Sequence, residues 1–151
     1  MVNSGSSANL LACAALCNPA RSNRLKAGDE VLLPAVCWST SVWPLLQFQL
    51  VPVFVDVDEN TLNMNMEDAR RKITPRTRAV LLVHVLGMSA PMVDVMELVQ
   101  QHNLLLFEDT CESLGSTYQC RALGTFGQFG QYSFYYSVSC STLTLSILRY
   151  I

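Results

Sequence analysis

The sequence predicts an α/β fold, a mostly parallel sheet with helices on both faces, and three observations carry that prediction. The apolar run 104–107 is too short for a helix and lacks two-residue alternation, as expected of a strand covered on both faces, 79–87 reads as another buried strand, and 31–34 and 51–58 read as further strands. Helical segments separate them, and strand–helix–strand repeated three times implies parallel pairing through right-handed crossovers. With 151 residues, half of them hydrophobic and only 15% charged, the chain is long enough for one domain with a sizeable core.

Taken in order, residues 4–9 (Ser-Gly-Ser-Ser-Ala-Asn) lead into an apolar helix over about 10–16. Small residues at a helix start let backbone N–H groups face an anion, although the same residues also make an ordinary cap. No Lys or Arg precedes the apolar stretch, so it reads as a buried helix and not as a secretion signal. Gly28 opens a turn, 31–34 is a strand, and Trp38 lies just past its carboxyl end, either to stack on a ring or to join the core. Trp43 is assigned to the core. The strand over 51–58 ends in Asp56, Asp58, Glu59 and Asn60, which solvate a loop. The helix after it starts near Asn65, with Glu67 and Asp68 in its first turn and Arg70, Arg71 and Lys72 toward its end, matching the helix dipole, and Thr74-Pro75 stops it.

The strand over 79–87 carries His84 near its carboxyl end. A histidine on an apolar run is usually a hydrogen-bonded core residue; here it is assigned to the wall of a pocket. Pro91 opens an amphipathic helix with Met92, Val95, Met96 and Val99 on one face, closing near a surface His102. The run 104–107 then ends abruptly in Glu108 and Asp109. Ligand crevices of open α/β sheets lie beyond the carboxyl ends of the strands, which puts Asp109 where a ligand would sit; the alternative is that both acids cap the following turn. Gly124, Gly127 and Gly130 are spaced unlike a phosphate-binding P-loop and read as turns, and 131–136 is the last clear strand.

A net charge of -2 with scattered cations gives no field for nucleic acid or an anionic membrane. Six cysteines form no Cys-x-x-Cys pair, which suits a reducing cytoplasm and no metal site. Pro44, Gln47, Gln49, Pro52 and His84 break the apolar runs below bilayer-spanning length, so a soluble cytoplasmic protein is expected.

Glu-Asp-Thr-Cys-Glu-Ser-Leu-Gly-Ser at 108–116, Gly-Thr-Phe-Gly at 124–127 and Ser-Phe-Tyr-Tyr-Ser at 133–137 carry a resemblance. From Asn3 to Tyr136 the chain resembles the large domain of the DegT/DnrJ/EryC1/StrS family, PLP-dependent sugar aminotransferases. The wording is closest to the PMP-dependent nucleotide-sugar 3-dehydrase branch. The resemblance implies a partial PLP-dependent transferase fold of the aspartate aminotransferase-like type (fold type I), with a cofactor-binding large domain over 1–137. It implies pyridoxal 5'-phosphate or pyridoxamine 5'-phosphate as cofactor, with its phosphate held by Gly5, Ser6, Ser7 and Ser133. Trp38 would stack on the ring, Asp109 would keep its nitrogen protonated, and Glu112 would lie against the other ring face or its hydroxyl. A full-length relative would be a homodimer acting on a nucleotide sugar.

The sequence then departs from the family. Five residues beyond Ser133, where the aminotransferases carry a lysine and the dehydrase branch a histidine base, stands Val138, which can serve as neither. The two lysines, Lys26 and Lys72, lie elsewhere. The stretch 138–151 matches nothing in the family and is set apart as a divergent tail, as a frameshift or misjoined end near Ser137 would produce. The expectation is a fragment of a 4-keto-6-deoxy sugar 3-dehydrase or sugar aminotransferase, inactive alone for want of that residue and of the small domain. Two alternatives stand: a non-catalytic homologue that binds cofactor or a partner, and an unrelated flavodoxin-like domain in which Asp109 and Trp38 are structural.

Overall fold

The computed structural model describes residues 1–134 and the backbone of 146–150. The described elements are helix α1 (Gly5–Leu16), strand β1 (Glu30–Pro34), α2 (Ser39–Gln47), β2 (Val51–Val55), α3 (Met66–Lys72), β3 (Thr77–Val83), α4 (Met92–Gln101) and β4 (Leu105–Asp109). A small antiparallel hairpin of β5 (Thr117–Tyr118) and β6 (Arg121–Ala122) follows, then β7 (Phe129–Ser133) and β8 (Ser146–Tyr150). The sheet runs β2-β1-β3-β4-β7-β8; the first five strands are parallel and β8 is antiparallel to β7. β8 falls inside the segment that the sequence sets apart as a tail, and Val138 lies outside the described residues.

Strand alternation sorts the apolar runs into two cores. Val31, Leu33, Ala79, Leu81, Leu105 and Phe107 face α1 and α2, where Ala12, Cys13, Leu16 and Leu45 meet them. Leu32, Val80, Leu82, Leu104 and Leu106 face α3 and α4, against Ala69, Met92, Val95 and Leu98. In β1, β3 and β4 neighbouring residues of one run therefore serve opposite layers, which is why those runs are apolar throughout, whereas β2, at the sheet edge, leaves Val51 and Phe54 exposed.

Several boundaries differ from expectation, each for a local reason. β2 stops at Val55 because Asp58 folds the next residues into a turn, its Oδ1 accepting the Asn60 and Thr61 amides at 3.0 and 2.9 Å. Those amides hold the Asp58 carboxyl below its usual range. Asp58, and Asp56 through the Val57 N–H, thus hold backbone rather than merely solvating the loop. The connection between β1 and β2 forms a helix over 39–47, whose bounds the sequence reading did not give, with Pro44 inside it. On that helix Ser41, Pro44 and Leu45 turn inward, while Trp43 turns out and is 58% exposed. This corrects its assignment to the core, because the choice follows from helical phase, which cannot be read without those bounds.

The order of the five parallel strands is also that of flavodoxin-like folds, so topology alone leaves that alternative standing. No helix among the described residues is long and apolar enough to cross a membrane.

Candidate functional site

A cavity of about 750 Å³ opens at the carboxyl ends of β1, β3, β4 and β7, against the first turn of α1. Ser4, Gly5, Ser6 and Asn9, then Trp38, Leu86, Asp109, Cys111, Glu112 and Ser133, are among its lining residues. This is the crevice that parallel topology provides, because the connections leaving β1 and β3 run in opposite directions along the sheet.

Asp109 follows Leu105 and Phe107 on the α1–α2 side of β4 and is buried at the cavity floor. Its Oδ2 accepts the Ser41 hydroxyl at 2.8 Å and the Asn9 amide at 2.9 Å, and its Oδ1 accepts the Cys111 backbone N–H at 3.1 Å. Two helices and the strand's own turn thus fix one carboxylate. Burial, reinforced by the charge of Asp109, pushes the Cys111 thiol well above its usual range. Asn9 and Ser41 were not singled out from sequence, yet Asn9 left a signal: it is the polar residue on the buried stripe of α1 that continues through Cys13 and Leu16.

Helix α1 begins at Gly5, five residues earlier than the sequence suggests, because Ser4 caps it. The Ser7 amide donates to Ser4 Oγ at 3.1 Å, so Ser7 is used within the cap and is not among the lining residues; Gly5 and Ser6 are. A Cβ on Gly5 would lie 2.8 Å from Cys111 Sγ and 3.3 Å from the Ser133 Cβ, so close approach requires glycine there. Gly5, Ser6 and Ser133 therefore meet at the positive end of α1, which suits an anionic group.

Trp38 occupies the N-cap position of α2 and is 71% exposed beside the cavity. Across the β3 end, Leu86 holds a left-handed backbone, φ 51° and ψ 32°, which costs a non-glycine residue about 1–3 kcal/mol. The β4 turn enforces it. Ser113 Oγ donates to the His84 carbonyl at 2.6 Å, Glu112 Oε2 accepts the Leu86 N–H at 3.0 Å, and Ser116 Oγ donates to the Gly87 carbonyl at 2.9 Å.

His84, expected at the pocket wall, is fully buried and does not line the cavity. Its Nδ1 accepts the Ala90 N–H at 3.2 Å, which leaves Nε2–H to donate to Glu108 Oε2 at 3.2 Å. Glu108 falls on the α3–α4 side of β4. Its carboxylate also accepts the N–H groups of Gly124 (2.9 Å), Phe126 (2.7 Å) and Gly127 (2.7 Å), fastening the loop that leads into β7. Glu108 thus fastens a later loop and does not cap the turn after β4; the acid that accepts an N–H of that turn, that of Cys111, is Asp109, which also lines the cavity.

The family model described as the DegT/DnrJ/EryC1/StrS aminotransferase family matches residues 1–142. A GDP-4-keto-6-deoxy-D-mannose 3-dehydratase of Escherichia coli O55:H7 is 43% identical over 95% of this chain and 37% of its own length. A dTDP-4-dehydro-2,6-dideoxy-D-glucose 3-dehydratase of Saccharopolyspora spinosa is 46% identical over 89% of this chain and 29% of its own. A solved structure of an E. coli GDP-4-keto-6-deoxy-D-mannose-3-dehydratase with bound hydrated PLP superposes with a TM-score of 0.92 at 40% identity, covering 97% of this chain and 38% of that one. The chain thus spans between 29% and 38% of the length of these relatives, and the flavodoxin-like alternative falls. On the match of sequence over 142 residues and of fold over nearly the whole chain, the protein belongs to the DegT/DnrJ/EryC1/StrS aminotransferase family.

Proposed function

We propose that this chain is a piece of a nucleotide-sugar enzyme, a 4-keto-6-deoxy sugar 3-dehydrase or a sugar aminotransferase, that holds pyridoxamine or pyridoxal 5'-phosphate. The observation that carries the reading is Asp109, a buried carboxylate fixed by three donors at the floor of a cavity. The residues present fit such a group: Gly5, packed against Cys111 and Ser133, brings the helix N-terminus to the cavity, and an exposed indole stands at the rim. When bound, the cofactor supplies a ring that withdraws electrons from the substrate carbon. Asp109 keeps the proton on the ring nitrogen, Gly5, Ser6 and Ser133 receive the phosphate, Ser7 supports them through the Ser4 cap, and Trp38 covers the ring. Glu112 belongs to the wall of the same cavity.

The substrate class, a nucleotide sugar, follows from the resemblance and from the names of the relatives, and pairing into a homodimer from the resemblance alone. We further read the chain as binding without turnover, because Val138 offers neither an amine nor a base. That same residue supports the second reading, a non-catalytic cofactor-binding homologue.

Titration of the purified chain with pyridoxamine phosphate tests the site. Asp109→Asn is expected to weaken binding roughly tenfold or more through loss of a charge-assisted contact. Glu67→Gln, on the outer surface of α3, leaves it unchanged. Equal effects of the two would refute the assignment of Asp109, and turnover of a 4-keto-6-deoxy nucleotide sugar by the chain would refute the reading of Val138.

A further inference from the structure

Leu86 is a residue of the cavity that the cofactor reading does not use. It combines a backbone conformation unfavourable for leucine with a large apolar side chain that is 69% exposed beside the cavity. The protein gains no core packing from that side chain, so its own burial does not offset the strain. Yet the conformation is held from two segments. Asn63 Oδ1 accepts the Val85 N–H at 3.3 Å, Glu112 takes the Leu86 N–H, and Ser113 and Ser116 bind the carbonyls on either side. A turn over-determined in this way, displaying an apolar group toward an open cavity, is a preformed contact awaiting a ligand.

We propose that Leu86 is a ligand-contact residue that closes on the bound ring-bearing ligand, and that Glu112 is a positioning residue acting through the Leu86 backbone. The proposal rests on the cofactor reading above and adds to it the part played by the β3 turn. Glu112 needs only an acceptor oxygen for this work, so glutamine replaces it and alanine does not. Leu86→Ala removes the contact at an exposed position and leaves the core intact. Leu86→Gly removes the same contact while relieving the left-handed strain.

The test is a binding cycle with pyridoxamine phosphate on the full 151-residue chain, read by tryptophan fluorescence alongside thermal melting. Leu86→Ala and Leu86→Gly are each expected to weaken binding roughly five- to tenfold, the loss of one buried apolar side chain's contact. The glycine variant should melt no lower than the alanine variant. Glu112→Ala is expected to weaken binding comparably and Glu112→Gln to retain it. In the Leu86→Gly background, Glu112→Ala should add nothing further. Additive losses would overturn the positioning role by showing that Glu112 meets the ligand itself. Unchanged binding in both Leu86 variants, with the unsubstituted chain still binding, would overturn the proposal alone. Failure of the unsubstituted chain to bind pyridoxamine or pyridoxal phosphate would overturn the cofactor reading with it.

Discussion

Asn9 and Asp109 stand 100 residues apart in the chain, yet the Asn9 amide donates to the Asp109 carboxylate at 2.9 Å in the buried floor of the cavity. That bond ties the helix whose N-terminus faces the cavity to the strand that delivers the acid, and it is one of the three that fix Asp109. Asn9→Ala is expected to destabilise the fold by about 1–3 kcal/mol, because a buried carboxylate oxygen loses a donor. It should also weaken pyridoxamine phosphate binding. Chemical denaturation with a parallel titration checks both, and unchanged affinity would show that Ser41 and the Cys111 amide suffice to hold Asp109.

Glu108 and Asp109 are adjacent and chemically alike, but their substitutions should separate. Glu108→Gln places an amide N–H₂ group among the N–H donors of Gly124, Phe126, Gly127 and His84. The expected cost is about 3 kcal/mol of stability. Asp109→Asn should affect mainly binding. Urea unfolding of both variants makes the comparison, and equal midpoints would contradict the split.

The loop fastened by Glu108 also explains two glycines. A Cβ on Gly130 would fall 1.9 Å from the Gly124 carbonyl oxygen, and one on Gly127 would fall 2.3 Å from that of Leu106. Gly130→Ala and Gly127→Ala should prevent β7 from docking and leave little soluble folded protein. Gly28→Ala, at φ +87° with nothing within 4 Å, should cost only about 1 kcal/mol. Circular dichroism melting curves distinguish the two outcomes.

The chain has two tryptophans, which makes the ring contact readable. Cofactor binding should quench fluorescence in Trp43→Phe, whose remaining indole is at the cavity rim, and lose most of its effect in Trp38→Phe. Equal quenching in both variants would place the bound ring away from Trp38.

Burial pushes the Cys13 thiol up from 9.0 to about 12, with a smaller contribution from Cys17. A thiol that resists ionisation in the folded state stabilises it fully below pH 9. As pH rises from 9 toward 12 the unfolded chain loses its proton first, so that contribution declines. Cys13→Ala should flatten the alkaline fall in stability while lowering stability near neutrality through the lost packing. Denaturation midpoints between pH 7 and 11 measure this, and parallel curves for the two proteins would show that Cys13 takes no part.

Sequence alone determined the parallel sheet, because short apolar runs alternate with helical segments, and it determined the family, because the motif around Asp109 is contiguous. It also located the acid end of the site, since a strand's carboxyl end is a place along the chain as well as in space. Only the tertiary structure decided what depends on phase and on distant partners. Period-two alternation sends Asp109 to the cavity and Glu108 to the loop beneath β7, although both belong to one run. Helical phase turns Trp43 outward on a helix whose bounds were not legible. The donors that fix Asp109 come from α1 and α2, and the left-handed turn at Leu86 is imposed by side chains from other segments. Each of these is a consequence of packing, which brings together residues that no local pattern relates.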